Sequence, residues 1–190
     1  LFCLPAFLVE QTLETIKPYL SSKTIIGSVV GNTGFFIFAH KVLADQPIGL
    51  FAFQRVPYIS RVVEYGKKAS LLGYKDKLLI ATEHISKPQE FCNDISMLFC
   101  TPTILLQSFY EVTLSNSNPI LHTGRLYSMW KDWDGEQFTK NSLFYSSWTD
   151  EASDLLIKMD IEFFCLLDKL GVSTEHLPTL LQHYEVQGAE

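Results

Sequence analysis

Three polar side chains that could do chemistry stand in the otherwise apolar segment 116–130: Asn118, His122 and Arg125. In a helix, residues three and four positions apart share one face, so an amide, an imidazole and a guanidinium would form a single polar stripe. Such a stripe could hold a polar substrate, pass it a proton from the imidazole and bind an anionic group through the guanidinium. His122 is therefore a candidate acid–base residue.

A purely structural interpretation fits the same segment equally well. Asn118 followed by Pro119 is a good helix start, with asparagine as the N-cap and proline as the first helical residue. His122 would then be a core histidine bonded to a backbone carbonyl, and Arg125 a surface charge. For the remaining histidines, which show no zinc-ligand spacing supported by cysteine or carboxylate, structural or surface roles are the default. These are His40, His84, His176 and His183.

Three loops that follow predicted strands could add residues to a site: 5–6, 31-GNTG-34 and 54-QRVP-57. In open α/β sheets, ligands bind at the carboxyl ends of the strands. Gly31 and Gly34 would let backbone N–H groups approach a ligand closely. Gln54 and Arg55 would offer an amide and a guanidinium to a carboxylate. Taken separately, each loop fits an ordinary turn better, because glycines after strands usually form turns. No GxGxxG motif is present to indicate a nucleotide site.

The elements that would position these loops alternate between strand and helix. An apolar run predicts a strand at 1-LFCLPA-6, and a β-branched run predicts a second at 23-KTIIGSVV-30. A third strand is predicted within 47-PIGLFAFQRVP-57. Helical spacing predicts helices from residue 7 to about 17 and after residue 34. This order predicts right-handed crossovers and a parallel sheet. The alternating pattern between 58 and 87 predicts two shorter strands that extend the sheet. A helix opening at Pro88 and a last strand at 101-TPTILLQ-107 follow.

Beyond residue 109 the whole pattern is helical, and 149-TDEASDLLIKMDIEFFCLLDKLG-171 is its clearest element. Thr149 is the predicted N-cap, and Gly171 is the predicted left-handed residue after the helix. We interpret Asp160 as a solvated charge. The predicted apolar face consists of Ala152, Leu155, Leu156, Met159, Phe163, Leu166, Leu167 and Leu170. The sequence thus predicts an α/β domain at 1–108 and a helical domain at 109–190.

Composition excludes several classes of protein. The 190 residues are 47% hydrophobic and 19% charged, as in a globular protein. A net charge of −6 argues against a nucleic-acid-binding surface, and no apolar run approaches the ~20 residues of a membrane span. The four cysteines show no CxxC motif, and the apolar neighbours of Cys3, Cys100 and Cys165 predict buried thiols in a reducing, cytoplasmic compartment.

Several of these segments together resemble the opine dehydrogenase family, which includes the octopine, nopaline and opine-metallophore enzymes. The most specific is 116-NSNPILHTGRLY-127, and it occurs in family order with 1-LFCLPAF-7, 31-GNTGFF-36, 53-FQRVPYISR-61 and 149-TDEASDLLIKMDIEFF-164. The resemblance implies a Rossmann-type NAD(P) domain followed by an all-helical domain, with the active site between them. The implied reaction joins the amine of an amino acid to a 2-oxo acid such as pyruvate. Hydride from NADH or NADPH then reduces the imine.

The resemblance also implies roles for individual residues. The family's catalytic histidine falls on His122, where it would bind and protonate the oxygen of the 2-oxo acid and act as the general base in reverse. Substrate-binding roles fall on Asn118, Arg55, Asn32, Thr33 and Ser60, and cofactor-binding roles on Leu4, Pro5 and Gly31. Octopine dehydrogenases carry tryptophan and cysteine where Tyr58 and Ser60 stand, so the implied substrates are left open.

Two parts of the family pattern are missing from these 190 residues. The glycine-rich dinucleotide loop is expected upstream of Leu1, and the aspartate that partners the histidine is expected in an arginine-tyrosine…glutamate-aspartate motif downstream. Such a carboxylate would set the tautomer and basicity of the imidazole. We therefore expect a fragment of a larger enzyme that starts within the Rossmann sheet and lacks the complete site. The alternatives are a 2-oxo acid or ketone reductase of the same architecture that needs no amine, and a non-catalytic binding module.

Overall fold

The computed structural model describes residues 1–137, 139–140 and 142–185, with only the backbone of Thr33, Tyr184 and Glu185. The chain divides into two compact units, Leu1–Ser115 and Asn116–Glu190. The helices and strands are α1 (Ala6–Ile16), β1 (Ile25–Val29), α2 (Phe35–Leu43), β2 (Gly49–Phe53), β3 (Tyr58–Glu64), β4 (Lys68–Tyr74), β5 (Leu78–Glu83), α3 (Pro88–Phe99), β6 (Thr103–Leu105), α4 (Tyr110–Thr113), α5 (Asn118–Trp130), α6 (Asp150–Lys169) and α7 (Leu180–Glu185). The predicted domains 1–108 and 109–190 stay a prediction.

The first unit is built on a four-stranded sheet with the order β1-β2-β5-β6. Strands β1 and β2 are parallel, as are β5 and β6, which agrees with the predicted α/β class. The central pair, β2 and β5, is antiparallel. Only the β3–β4 hairpin lies between β2 and β5, and a parallel pairing would have required a longer crossover connection such as a helix. The sheet is therefore mixed rather than wholly parallel.

Strand β2 holds the core of this unit together because both of its faces are buried. Leu50 and Ala52 join the apolar cluster on the face covered by α1 and α2. Phe51 and Phe53 join the cluster on the opposite face, where α3 packs. A strand that is apolar at every position is typical of a sheet covered on both sides.

Two strand predictions in this unit were wrong. The run at 1–6 forms only a single bridge, Phe2 to Ser28, and α1 already begins at Ala6. Pro5 has no N–H to give to a strand and precedes the helix. The β3–β4 hairpin does not extend the main sheet but forms a separate two-stranded sheet with exposed strands. Strand β5 takes its place in the main sheet.

In the helical unit, α5 and α6 pack closely at Gly124. A Cβ atom there would lie 2.6 Å from Leu156 Cδ2, so a larger residue would force the Leu156 side chain to shift. The ends of α6 confirm the predictions: the Thr149 hydroxyl accepts a hydrogen bond from the Ala152 N–H at 3.2 Å, and Gly171 has φ 64°. None of the described helices is both long and apolar enough to cross a membrane.

The buried face of α6 is narrower than predicted and includes a charge. Leu156 and Leu167 are buried, but Leu166 and Leu170 are exposed. Leu166 lies about 80° around the helix from Leu156, at the edge of the stripe. Asp160 is only 8% exposed, so its interpretation as a solvated charge was wrong.

The carboxylate of Asp160 is buried because it caps the next helix. Its Oδ2 accepts a hydrogen bond from the Leu180 N–H at the start of α7, at 2.9 Å. The first N–H groups of a helix have no partner within the helix, and a carboxylate is a favourable acceptor there. Asp160 therefore ties α7 to α6.

The predicted burial of three cysteines was also wrong. Cys3, Cys100 and Cys165 are exposed, and Cys92 alone of the four is buried, on α3. Its thiol donates to the Thr103 carbonyl at 3.3 Å. Apolar neighbours in sequence do not decide burial, because successive residues of a helix face different directions. All four are free thiols.

We predict that the four cysteines differ sharply in reactivity. Burial raises the pKa of the Cys92 thiol, so at pH 8 it stays protonated and shielded while the exposed thiols react. Treatment with a thiol reagent followed by peptide mass mapping should show three labelled cysteines in the native chain and four in urea. Labelling of Cys92 at the rate of the other three would contradict its placement.

We predict that Asp160→Ala destabilises the helical unit by about 1–3 kcal/mol, because the buried Leu180 N–H loses its acceptor. Asp160→Asn keeps an acceptor oxygen and should recover part of the loss. Urea denaturation followed by circular dichroism measures both variants. Equal stability of the alanine variant and the unmodified chain would rule out the cap.

Candidate functional site

The loops that were predicted to share one edge of the sheet do so. The bridge at Phe2 is parallel to β1, and β1 is parallel to β2. Pro5, Gly31 and Gln54 therefore follow strand segments that run in the same direction. This edge, at the carboxyl ends of these strands, is where open α/β sheets bind ligands.

Gly31 is a glycine because protein atoms crowd it. A Cβ atom at this position would lie 2.3 Å from Val112 Cγ1 and 2.8 Å from Ala52 Cβ. Gly31 is buried, and it begins a short 3₁₀ turn that carries the half-buried Asn32. The side chain of Thr33 lies outside the described residues. The tight packing at Gly31 fixes the position of this turn at the strand edge.

The residues after β2 bind the segment that leads out of the first unit. The buried Gln54 donates through Nε2 to the Glu111 carbonyl at 3.1 Å. The half-buried Arg55 donates through Nη2 to the Ser115 carbonyl at 2.7 Å, and its burial lowers the pKa of the guanidinium from the usual value. Arginine carries five N–H donors, so this bond leaves most of them for a ligand.

Sequence reasoning missed Glu111, the most buried acid of the unit at 1% exposure. Its Oε1 accepts hydrogen bonds from the Gln107 and Ser108 N–H groups at 2.9 and 3.0 Å. The signal that could have found it is a carboxylate four residues after the predicted strand end at Gln107, where turn N–H groups need acceptors. Glu111 thereby holds the turn that presents its own carbonyl to Gln54.

A cavity of about 310 Å³ opens beside Arg55. It lies at the end of β2 and the start of β5, within the first unit. Its lining consists of Gln54, Arg55, Lys75, Asp76, Lys77, Leu78 and Leu79. Of the other predicted residues in this unit, Ser60 is exposed on β3, Leu4 is half-buried and Pro5 is exposed.

His122 is exposed on α5, and its ring lies against the ring of Phe144. The two centroids are 5.1 Å apart and the planes are inclined by 31°. Within the described residues, its ring nitrogens make no hydrogen bond. The alternative of a core histidine bonded to a carbonyl is therefore wrong, and the imidazole is available to a ligand on the helical unit.

Asn118 lies one turn before His122 and is also exposed. It is the first residue of α5, and Ser117 is the N-cap, so the prediction that Asn118 caps the helix was wrong. Its backbone N–H donates instead to Asn116 Oδ1 at 3.1 Å. The amide side chain and the imidazole thus share an exposed face of the first two turns of α5.

Arg125 is neither a ligand for an anion nor a surface charge, because it is only 2% exposed. Its Nε donates to the Phe144 carbonyl at 2.8 Å, and its Nη2 donates to the Ser147 carbonyl at 2.7 Å. The guanidinium carbon lies 5.2 Å from the centre of the Trp148 ring. Arg125 therefore fixes segment 144–148 on α5 and places the ring of Phe144 beside His122.

A second cavity, of about 380 Å³, lies within the helical unit and is apolar. Leu121, Trp148, Leu156 and Leu180 are among its lining residues, and His122 is not. No group of three or more histidine, cysteine or acidic residues in the described part of the chain could hold a metal ion.

The segment that carries His122 matches a known protein family. Residues 105–190 match the family described as NAD/NADP octopine/nopaline dehydrogenase, alpha-helical domain. Asn118, His122 and Arg125 all lie within the matched segment.

Similarity to individual opine dehydrogenases extends over more of the chain. An opine dehydrogenase from Haliotis discus hannai is 30% identical over 162 residues, which are 82% of this chain and 40% of that protein. A tauropine dehydrogenase from Arabella iricolor is 25% identical over 177 residues, which are 87% of this chain and 43% of that protein. The chain thus spans about two fifths of the length of these relatives.

The fold is that of an opine dehydrogenase of known structure. Octopine dehydrogenase solved with NADH and L-arginine superposes with a TM-score of 0.75 at 21% identity, covering 95% of this chain and 47% of the other. This similarity confirms the predicted fold class, part of a Rossmann-type α/β sheet followed by helices.

We predict that Arg125→Met destabilises the helical unit by about 2–4 kcal/mol, because the carbonyls of Phe144 and Ser147 lose a charged donor. Arg61→Met is the matched control, since Arg61 is exposed and should change stability by less than about 0.5 kcal/mol. Urea denaturation measures both variants. A similar small effect in the two would show that Arg125 does not anchor segment 144–148.

Proposed function

We propose that the protein is an NAD(P)H-dependent opine dehydrogenase, which condenses the amine of an amino acid with a 2-oxo acid such as pyruvate. Both the family match over residues 105–190 and the similarity to opine and tauropine dehydrogenases support this. The named relatives are longer than this chain, so the complete activity is a proposal for the whole protein.

The observation that carries the proposal is the state of His122. Its imidazole is exposed, lies against one aromatic ring and has no hydrogen bond to a described residue. A catalytic acid must have a nitrogen free to reach the substrate. We assign to His122 the transfer of a proton to the oxygen of the 2-oxo acid as water leaves, and the reverse transfer in the opposite direction.

The ring of Phe144 restricts the imidazole without withdrawing either nitrogen from a substrate. Because Arg125 binds the Phe144 carbonyl, that ring is held in place. Asn118, one turn away, offers an amide that can bind the same substrate. Phe144 and Arg125 therefore position the proton donor, and Asn118 is proposed to bind the substrate beside it.

Residues at the sheet edge would contribute the remaining contacts. Arg55, with donors left over from its bond to Ser115, would bind a substrate carboxylate. Asn32, Thr33 and Ser60 are the other proposed substrate-binding residues. Leu4, Pro5 and Gly31 are the residues proposed to bind the cofactor.

The proposal places the dinucleotide at the strand edge. Helix α1 begins shortly after the bridge at Phe2, and no side chain caps its first turn. The positive end of the helix would favour an anionic group such as a phosphate. When bound there, NADH or NADPH would supply the hydride that reduces the imine. The residues named above would hold the cofactor and the substrate; they carry no hydride themselves.

We predict that His122→Asn in the full-length protein lowers kcat by about 10²–10⁴-fold, because the general acid is lost. Affinity for NADH and NADPH should stay within twofold, since His122 is not a proposed cofactor ligand. Steady-state rates with pyruvate and a panel of amino acids measure turnover, and fluorescence titration measures cofactor binding.

His84→Asn is the matched control for this substitution. His84 is exposed on the first unit with φ 54°, and asparagine tolerates this left-handed conformation. It should turn over substrate like the unmodified protein. Full activity of His122→Asn would show that His122 has no part in the mechanism. Oxidation of NAD(P)H without an amine would show that the protein reduces a 2-oxo acid directly and is not an opine dehydrogenase.

A further inference from the structure

We propose that Arg55, Lys75 and Lys77 form an anion-binding subsite that selects an amino-acid substrate with an acidic side chain. This inference rests on the proposed function and adds the class of the amine donor. The three cations line the cavity of about 310 Å³ at the end of β2.

The backbone around this cavity is fixed on several sides. The Lys75 N–H donates to the Pro57 carbonyl at 3.3 Å, which joins the two ends of the β3–β4 hairpin. The Gln54 N–H donates to the Leu79 carbonyl at 2.9 Å, which joins the end of β2 to β5. Lys75 and Lys77 therefore extend from short, anchored connections beside Arg55.

Charge in the cavity is unbalanced. Three cations face a single acid, Asp76, and among the described residues Asp76 forms no ion pair with any of them. By contrast, Lys67 at the other end of the hairpin is paired with Glu64 at 2.6 Å. An excess of cations around a concave surface attracts an anion, and partial burial strengthens the interaction.

Arg55 is the cation of the cavity whose position is fixed by a hydrogen bond. One of its donors is committed to the Ser115 carbonyl, which fixes the position of the guanidinium while its other N–H groups remain. Burial disfavours the charged form of the guanidinium and lowers its pKa. A bound carboxylate would stabilise the charged form and offset this cost. The site thus has one oriented donor group and two flexible lysines.

The same charge would reject a cationic side chain. A guanidinium such as that of arginine would bring a fourth positive group into a cavity with one acid, and like charges that are brought together reduce affinity. A carboxylate on a short side chain, as in glutamate, would be attracted instead. We therefore expect the amine donor to be acidic.

The test compares kcat/KM of the full-length protein for glutamate, alanine and arginine, each with pyruvate and NAD(P)H. Glutamate should be the best of the three, and arginine the poorest. In the double variant Lys75→Gln and Lys77→Gln, the ratio of kcat/KM for glutamate to that for alanine should fall about tenfold, since each exposed charge contributes a few-fold. An unchanged ratio, or arginine as the preferred donor, would overturn the subsite.

Lys68→Gln is the matched control, because Lys68 is an exposed lysine on β4 that does not line the cavity. It should leave the glutamate-to-alanine ratio unchanged; an equal fall in this variant would show that general surface charge, not the subsite, sets the preference.

A second measurement separates this inference from the proposed function. Calorimetric titration with glutarate, a dicarboxylate without an amine, needs no turnover. Binding that weakens about tenfold in the double variant supports the subsite even if no amino acid is reduced, in which case the proposed function alone fails. Absence of glutarate binding, or binding that the double variant leaves unchanged, overturns the subsite.

Discussion

A buried polar group is costly unless it is hydrogen-bonded, and this constraint organises the irregular parts of the molecule. Four buried polar side chains each satisfy it by binding the backbone of a segment that has no regular partner. Gln54 and Glu111 hold the segment after β6, Arg125 holds segment 144–148, and Asp160 holds the start of α7. Removing one of these side chains would leave its backbone partner without a hydrogen bond.

The same constraint explains why His122 remains available. Arg125, rather than the histidine, meets the carbonyls of segment 144–148, so the imidazole is not drawn into the packing. Phe144 contributes a ring contact that orients the imidazole without using its nitrogens. A structural arginine thus leaves a nearby histidine free for chemistry, which is the arrangement that a proton donor needs.

In the first unit, burial of apolar side chains fixes the position of the strands. Strand β2 is covered on both faces, which leaves its carboxyl end as the place where polar groups can reach solvent. Arg55, Lys75 and Lys77 line the cavity at this end of the strand. The buried strand positions this edge, and the connections at the edge carry the charged groups.

The sequence by itself determined the features that depend on neighbours along the chain. Helical spacing and caps located α2, α3 and α6, with Thr149 and Gly171 at the ends of α6. A β-branched run located β1, and an apolar run located β2. The motif around His122 indicated the family that the comparisons support. These features were accessible because backbone hydrogen bonds and turn conformations are set by residues within a few positions of each other.

Tertiary structure alone decided which polar and apolar residues are buried. Arg125 and Asp160 are enclosed by segments about twenty residues further along, and the exposed Cys3, Cys100 and Cys165 lack such a cover. The hairpin pairs with itself instead of extending the main sheet, and it brings Lys75 and Lys77 to Arg55. Local spacing fixes only the direction of a side chain from its own helix or strand; burial depends on what the distant chain places in that direction.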